Sequence, residues 1–145
     1  MHEIDLLAWW DGAWDEGLWY APWSKAIDGL TPEQAAWTPG PGRHSIWSIV
    51  NHMSFWREHS LRTLRGQRPT SDEVERRNFE GPLEVTEAGW RAARERFASL
   101  QEQIRSVIAD PAGDLSRIRY HLPHDSYHVG QIMYLRAMQG LPAIE

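Results

Sequence analysis

Residues 45–66 read SIWSIVNHMSFWREHSLRTLRG, and this stretch decides the fold. Ser45 can accept a hydrogen bond from the free amides of a helix start, and Gly66 supplies a stop. Neither proline nor glycine interrupts the residues between, so a helix from about Ile46 to Arg65 is expected. At 1.5 Å per residue it is about 30 Å long, a full bundle-length rod. Upstream, Thr31 to Arg43 holds Pro32, Pro39, Gly40, Pro41 and Gly42 and reads as a loop with one short turn after Thr31. Residues 3 to about 29 form a first helix, with Leu7, Trp10, Trp14 and Leu18 on one stripe. Pro22 lacks an amide donor and predicts a kink or short break near residues 19–23.

Downstream of Gly66, residues 66–82 are polar, contain Pro69, Gly81 and Pro82, and show no sustained period. They are assigned as a long, solvated connection between helices 2 and 3. A third helix is expected over Leu83 to about Ala109, with Trp90, Ala93, Phe97, Leu100, Ile104 and Val107 or Ile108 inward. Asp110, Pro111 and Gly113 end it. The last helix covers about Pro123 to Gln139, with Gly140 and Pro142 behind it, and an earlier start near Asp114 is the alternative. Four helices with no strand pattern and no repeat predict an all-α four-helix bundle. The long 66–82 connection can return the chain along the bundle and leave helices 2 and 3 parallel.

The length of 145 residues suits a single domain, 1–145, with one core. Nine Trp predict a core of large flat side chains. With 20 acidic against 15 basic residues the net charge is -5, and no basic stripe offsets it, which argues against nucleic acid as a partner. No run of 18 apolar residues and no basic leader followed by an apolar run is present, so no membrane association and a cytoplasmic location are expected. The absence of Cys excludes disulfides, thiolate ligands and a cysteine nucleophile, leaving any metal to nitrogen or oxygen donors.

His124 and His128 lie four residues apart, so their rings leave one face of the last helix a turn apart and can reach one metal ion. Spacing alone is weak, since seven His scattered over this length give ~0.3 such pairs by chance. The pair continues a stripe through Gln131, Ile132, Leu135 and Met138, which turns both imidazoles toward the core. Two readings follow: hydrogen-bonded core histidines, or metal ligands. His52 supplies a third ring, between Ile49 at i−3 and Trp56 at i+4 on helix 2. Three inward imidazoles on two helices are costly to bury unless something organises them, and this favours a divalent-metal site of His52, His124 and His128. His2 and His44 read as surface residues, and His59 could join only a site displaced along the bundle. His121 is the main competitor, because a helix starting earlier places it at i−3 from His124. Trp14, Trp47 and Trp56 at helical spacing read as core. Asn51 and Gln131 are candidates to support the ligands from behind, whereas Asp125 points about 100° away from His124 and no general base is named.

Three segments carry a family resemblance: PGPGRHSIWSIVNHMSFWRE at 39–58, LRGQRP at 64–69 and HDSYHVGQIMYLR at 124–136. In these the chain resembles the DinB/YfiT-like superfamily of small metal-binding four-helix bundles over almost its whole length. The first segment holds the family's helix-2 histidine at His52, and the last its H-x-x-x-H pair at His124 and His128. The resemblance implies an up-down-down-up bundle, a long connection after helix 2, and nickel or zinc as the metal. It also implies a small-molecule substrate and, in some members, a low-molecular-weight thiol as co-substrate. Three neutral imidazoles leave a coordination position open, as in catalytic sites, which suits hydrolysis or thiol transfer. The competing expectation is a non-catalytic metal- or ligand-binding stress-response module, assembled as a homodimer through exposed faces of its Trp-rich helices.

Overall fold

The computed structural model describes residues 5–144, and all regular structure among them is helical. The order is α1 (Leu6–Asp15), α2 (Trp23–Ala26), α3 (Pro32–Ala36), α4 (Ile46–Leu64), α5 (Ser71–Arg77), α6 (Glu87–Ala109), α7 (Leu115–Ile118) and α8 (His121–Met138). The three longest helices meet at α4, which packs on both α6 and α8, while α1 also touches α6 and α8. Trp10, Trp23, Trp90, Phe97, Ile46, Met53, Ile104 and Ile132 lie in the core these helices share. Burying an aliphatic or Phe side chain of this kind stabilises the fold by roughly 1.5–3 kcal/mol each. Trp10 meets Trp23 edge to face at 5.2 Å, and Trp47 lies 5.4 Å from Trp90. These geometries suit the quadrupoles of the rings. No helix among the described residues is long and apolar enough to cross a membrane.

The first helix ends earlier than expected, and a glycine rather than the proline ends it. Gly17 has φ of 82°, and the amides of Glu16 and Gly17 both donate back to the Gly12 carbonyl. A Cβ at Gly17 would stand 2.1 Å from the Tyr20 carbonyl oxygen, so only glycine fits this turn. Pro22 then serves as the N-cap residue of α2 instead of kinking a continuous rod. The expected start at residue 3, like His2, lies outside the described residues.

α3 is the short turn expected after Thr31, closed by a reciprocal pair in which the Gln34 amide donates to Thr31 Oγ1 and the Thr31 amide donates to Gln34 Oε1. Ser45 caps α4 by accepting from the Ser48 amide at 3.0 Å. The 66–82 connection is not structureless: it contains α5, with Thr70 accepting from the Glu73 amide. Acidic Asp72 and Glu73 lie in its first turn and Arg76 and Arg77 in its last, so capping and the helix dipole sustain a helix with no buried residue. α6 begins four residues later than expected, because Thr86 provides the cap, accepting from the Gly89 amide, and leaves Leu83 exposed before it. Asp114 starts the separate turn α7, and α8 begins at His121, two residues before Pro123. Met138, expected on the inner stripe of that helix, is half exposed.

Candidate metal centre

α4 and α8 bring His52, His124 and His128 together, with one ring nitrogen of each within 4.8 Å of those of the other two. His52 and His128 are buried, and the side chain of His124 is a third exposed. Ring centroids stand 5.1 Å apart for His52 and His124, 4.5 Å for His52 and His128, and 4.6 Å for His124 and His128. The i, i+4 spacing on α8 supplies two rings, and the contact between α4 and α8 supplies the third.

Hydrogen bonds at the outer nitrogens fix two tautomers. His124 Nδ1 lies 2.7 Å from Asp125 Oδ1, and a carboxylate oxygen only accepts, so the proton is on Nδ1. His52 Nδ1 lies 3.0 Å from the Asn78 carbonyl and 2.8 Å from Asn78 Oδ1. The Trp56 indole, which can only donate, does so to the same Oδ1 at 2.8 Å and thereby fixes the orientation of the amide. His52 therefore donates from Nδ1. Both inner nitrogens then carry lone pairs, and these Nε2 atoms face each other at 3.1 Å. Two lone pairs at that distance repel unless a cation lies between them. Imidazole nitrogens bound to one zinc ion at ~2.0–2.1 Å and tetrahedral angles stand about 3.3 Å apart, so the spacing fits a shared ion. Burial, reinforced by His128, pushes the His52 pKa down to about 4, so His52 itself does not carry the bridging proton. His128 Nδ1 lies 2.7 Å from Gln131 Oε1, and the Gln131 amide donates to Tyr127 Oη at 3.2 Å, leaving His128 Nε2 as the third inward donor atom.

Behind His124 stands a buried charge pair. Asp125 Oδ2 accepts from Arg57 Nε at 2.7 Å, and both side chains are fully buried. The guanidinium lies 4.0 Å from the Phe97 ring centroid, 4.9 Å from Trp10 and 5.3 Å from Trp23, an aromatic surround that favours a cation. Burial alone would raise the Asp125 carboxyl. The charge of Arg57 and the His124 N–H outweigh it, and the net shift is downward. For Arg57, burial lowers the pKa and Asp125 opposes the fall. Asp125 thus stays anionic and fixes the tautomer and orientation of the His124 ring, the place a carboxylate takes behind a metal-bound imidazole.

Gln131, singled out from sequence, does hydrogen-bond the outer nitrogen of His128. Asn51 does not: its amide donates to the Glu80 carbonyl at 2.8 Å and fastens the connection to α4. Asn78 and Phe79, at the end of α5, were missed. Phe79 stacks on His52 at 3.8 Å and on His44 at 3.9 Å, so His44, exposed as expected, is the outer layer of a three-ring sandwich. Trp47 is core as expected and Trp14 packs on Phe97, whereas Trp56 belongs to the site through Asn78. His121 does open α8 and is buried, but its Nε2 pairs with Ser60 Oγ at 2.8 Å. It forms a second cluster with His124 and Asp125. Both Asp125 oxygens in that cluster are already engaged, by Arg57 and by His124, so the three-histidine set is the stronger candidate for holding a cation. His59 is buried, with Nδ1 3.5 Å from Thr63 Oγ1, and is in neither cluster.

No curated protein and no solved structure matches the chain. The family model of the DinB superfamily matches residues 20–138, a span that includes all three histidines and Arg57, Asn78, Asp125 and Gln131 behind them. The chain belongs to the DinB superfamily.

Proposed function

We propose that this protein is a metal-dependent enzyme acting on a small molecule, with His52, His124 and His128 holding one divalent ion, nickel or zinc. The reaction in this reading is hydrolysis or the transfer of a low-molecular-weight thiol. The observation that carries it is the pair of inward lone pairs on His52 and His124, 3.1 Å apart, whose tautomers are set from behind by Asn78 and Asp125. In the same reading α1, α4, α6 and α8 are the four rods of an up-down-down-up bundle, with residues 66–82 joining the second to the third.

Bound there, the ion supplies Lewis acidity that lowers the pKa of a water or thiol brought to it. The chain's own residues prepare the place. Three neutral donors leave the ion's charge undiminished, and Phe79 covers one face of His52. Asn78, Asp125 and Gln131 hold the three rings in register, which removes reorganisation from binding. With both oxygens engaged, Asp125 orients His124 and is not free to take a proton from substrate.

Elemental analysis of protein purified without an affinity tag tests the reading, comparing wild type with His128→Ala. One ion per chain is expected in the first and none in the second. Absence of a stoichiometric ion from wild type, or its retention in the variant, overturns the assignment.

A further inference from the structure

His124, the part-exposed ligand, is also the wall of a cleft of about 290 Å³ lined by Trp56, Ser60, Arg117, Tyr120 and His121. That size lies at the low end for ligand pockets, which run to ~300–1,000 Å³. A larger apolar hollow of about 690 Å³, bordered by Trp9, Trp19, Leu122 and Pro123, has no His, acid or base in its lining.

The small cleft is chemically sided. Arg117 forms no ion pair among the described residues, and neither does Arg119, whose guanidinium stacks 5.1 Å from the Tyr120 ring and donates to its hydroxyl at 3.3 Å. Six other arginines, at 57, 62, 77, 94, 96 and 105, do have carboxylate partners. The cleft lining therefore includes one exposed guanidinium, that of Arg117, with no carboxylate within ion-pair distance among the described residues. The charge of Arg117 also reaches His59, whose pKa is lowered by burial first and by Arg117 next. The Trp56 ring in the same lining is held by its hydrogen bond to Asn78, a flat apolar surface that is already ordered. Ser60 and His121, paired with each other, supply polar groups at the same cleft.

We propose that this cleft is the substrate subsite of the three-histidine centre and takes a small organic anion with a flat apolar body. Arg117 binds the charged end, Trp56 and Tyr120 hold the body, and the molecule lies beside His124. The assignment rests on the metal reading above for its reactive end, and on Arg117 and Trp56 alone for its selectivity. Arg117 is exposed and free to turn toward an anion, and a bidentate contact with a carboxylate adds direction to the attraction.

The test uses benzoate and its neutral analogue benzamide, titrated calorimetrically into zinc-loaded and metal-free protein, with the Trp56 indole N–H followed by NMR. Wild type is expected to bind benzoate tenfold or more tightly than benzamide, with the Trp56 signal shifting. Arg117→Gln is expected to weaken benzoate by roughly 10- to 100-fold, the range for a lost charge-assisted hydrogen bond, and to leave benzamide and zinc stoichiometry unchanged. Arg91→Gln, an exposed charge on α6, controls for net charge and is expected to change neither. Equal affinities for the two probes, no effect of Arg117→Gln, or an equal effect of Arg91→Gln overturns the proposal. So does benzoate binding that needs zinc and ignores Arg117, since the carboxylate is then held by the ion. A benzoate preference that persists without metal and disappears in Arg117→Gln upholds the subsite even if zinc binding itself fails.

Discussion

Replacing Asp125 with Asn separates what this residue does for the fold from what it does for the centre. The side chain keeps its shape and an oxygen for His124 Nδ1 but loses its charge. Arg57 is then a fully buried guanidinium with no counter-ion, and its Nη2 already lacks a hydrogen-bond partner. Breaking a buried pair by removing one member costs about 3–5 kcal/mol, a large part of the ~5–15 kcal/mol that holds a domain together. The aromatic rings around Arg57 place the expectation near 3, because cation–π attraction of roughly 2 kcal/mol in a desolvated site survives the substitution. Urea unfolding of the metal-free protein measures this. Zinc affinity, measured by competition with a chromophoric chelator, is expected to fall by about 10- to 100-fold, since the carboxylate that orients His124 from behind is lost. Arg57→Met combined with Asp125→Asn removes the stranded charge, so stability should recover while zinc affinity stays low. Asp125→Asn within about 1 kcal/mol of wild type, with unaltered zinc affinity, refutes the account of this buried pair.

Other measurements probe other parts. His52 and His121 both have pKa values lowered to about 4 by burial, whereas an unfolded histidine titrates near ~6.5. Between those values the unfolded chain binds more protons, so stability of the metal-free protein rises with pH across this window and falls as pH drops from 6.5 to 4. His121 contributes roughly 3 kcal/mol over the full range and the less enclosed His52 less; unfolding midpoints in His121→Gln should show a visibly flatter slope. Asn78→Leu strips His52 and Trp56 of a shared acceptor and should weaken zinc binding by about tenfold, with a wild-type value counting against the tautomer argument. Gly17→Ala puts a Cβ 2.1 Å from a carbonyl oxygen at positive φ, and thermal unfolding should show a loss of at least ~1 kcal/mol.

Local signals in the sequence located the long helices and three ring-bearing positions, because caps and periodicity are written in neighbouring residues. Ser45 and Gly66 bound α4 to within a residue, and the i, i+4 pair on α8 needed only a partner from α4. Pro22 drew the break too far downstream since Gly17, a C-terminal stop, comes first in the chain. α5 escaped a search for periodicity because no face of it is buried, although Thr70, the acids and the arginines spell out its two ends. Asp125 was set aside on its angle from His124, yet a carboxylate one residue on can curl back to Nδ1. Arg57 held the missing signal: it shares a stripe with Val50, Met53 and Leu61, all buried, and Asp125 is the only acid on α8 that could answer its charge. Asn78 had no such signal, since its partnership with His52 depends on how the 66–82 segment folds back.

At the proposed metal site, that fold-back would make the exchange rate of an ion a property of a small peripheral unit. α5 has no buried residue, and beyond its caps it is fastened by the Arg62–Glu73 ion pair, the Asn51–Glu80 hydrogen bond and the knot of Asn78 with His52 and Trp56. Segments so lightly tied open at a fraction of the free energy of global unfolding. Each opening removes the oxygens that point His52 inward and lifts Phe79 from its ring. Loading and loss of an ion should therefore keep time with amide exchange in residues 71–80, well ahead of any exchange in α6.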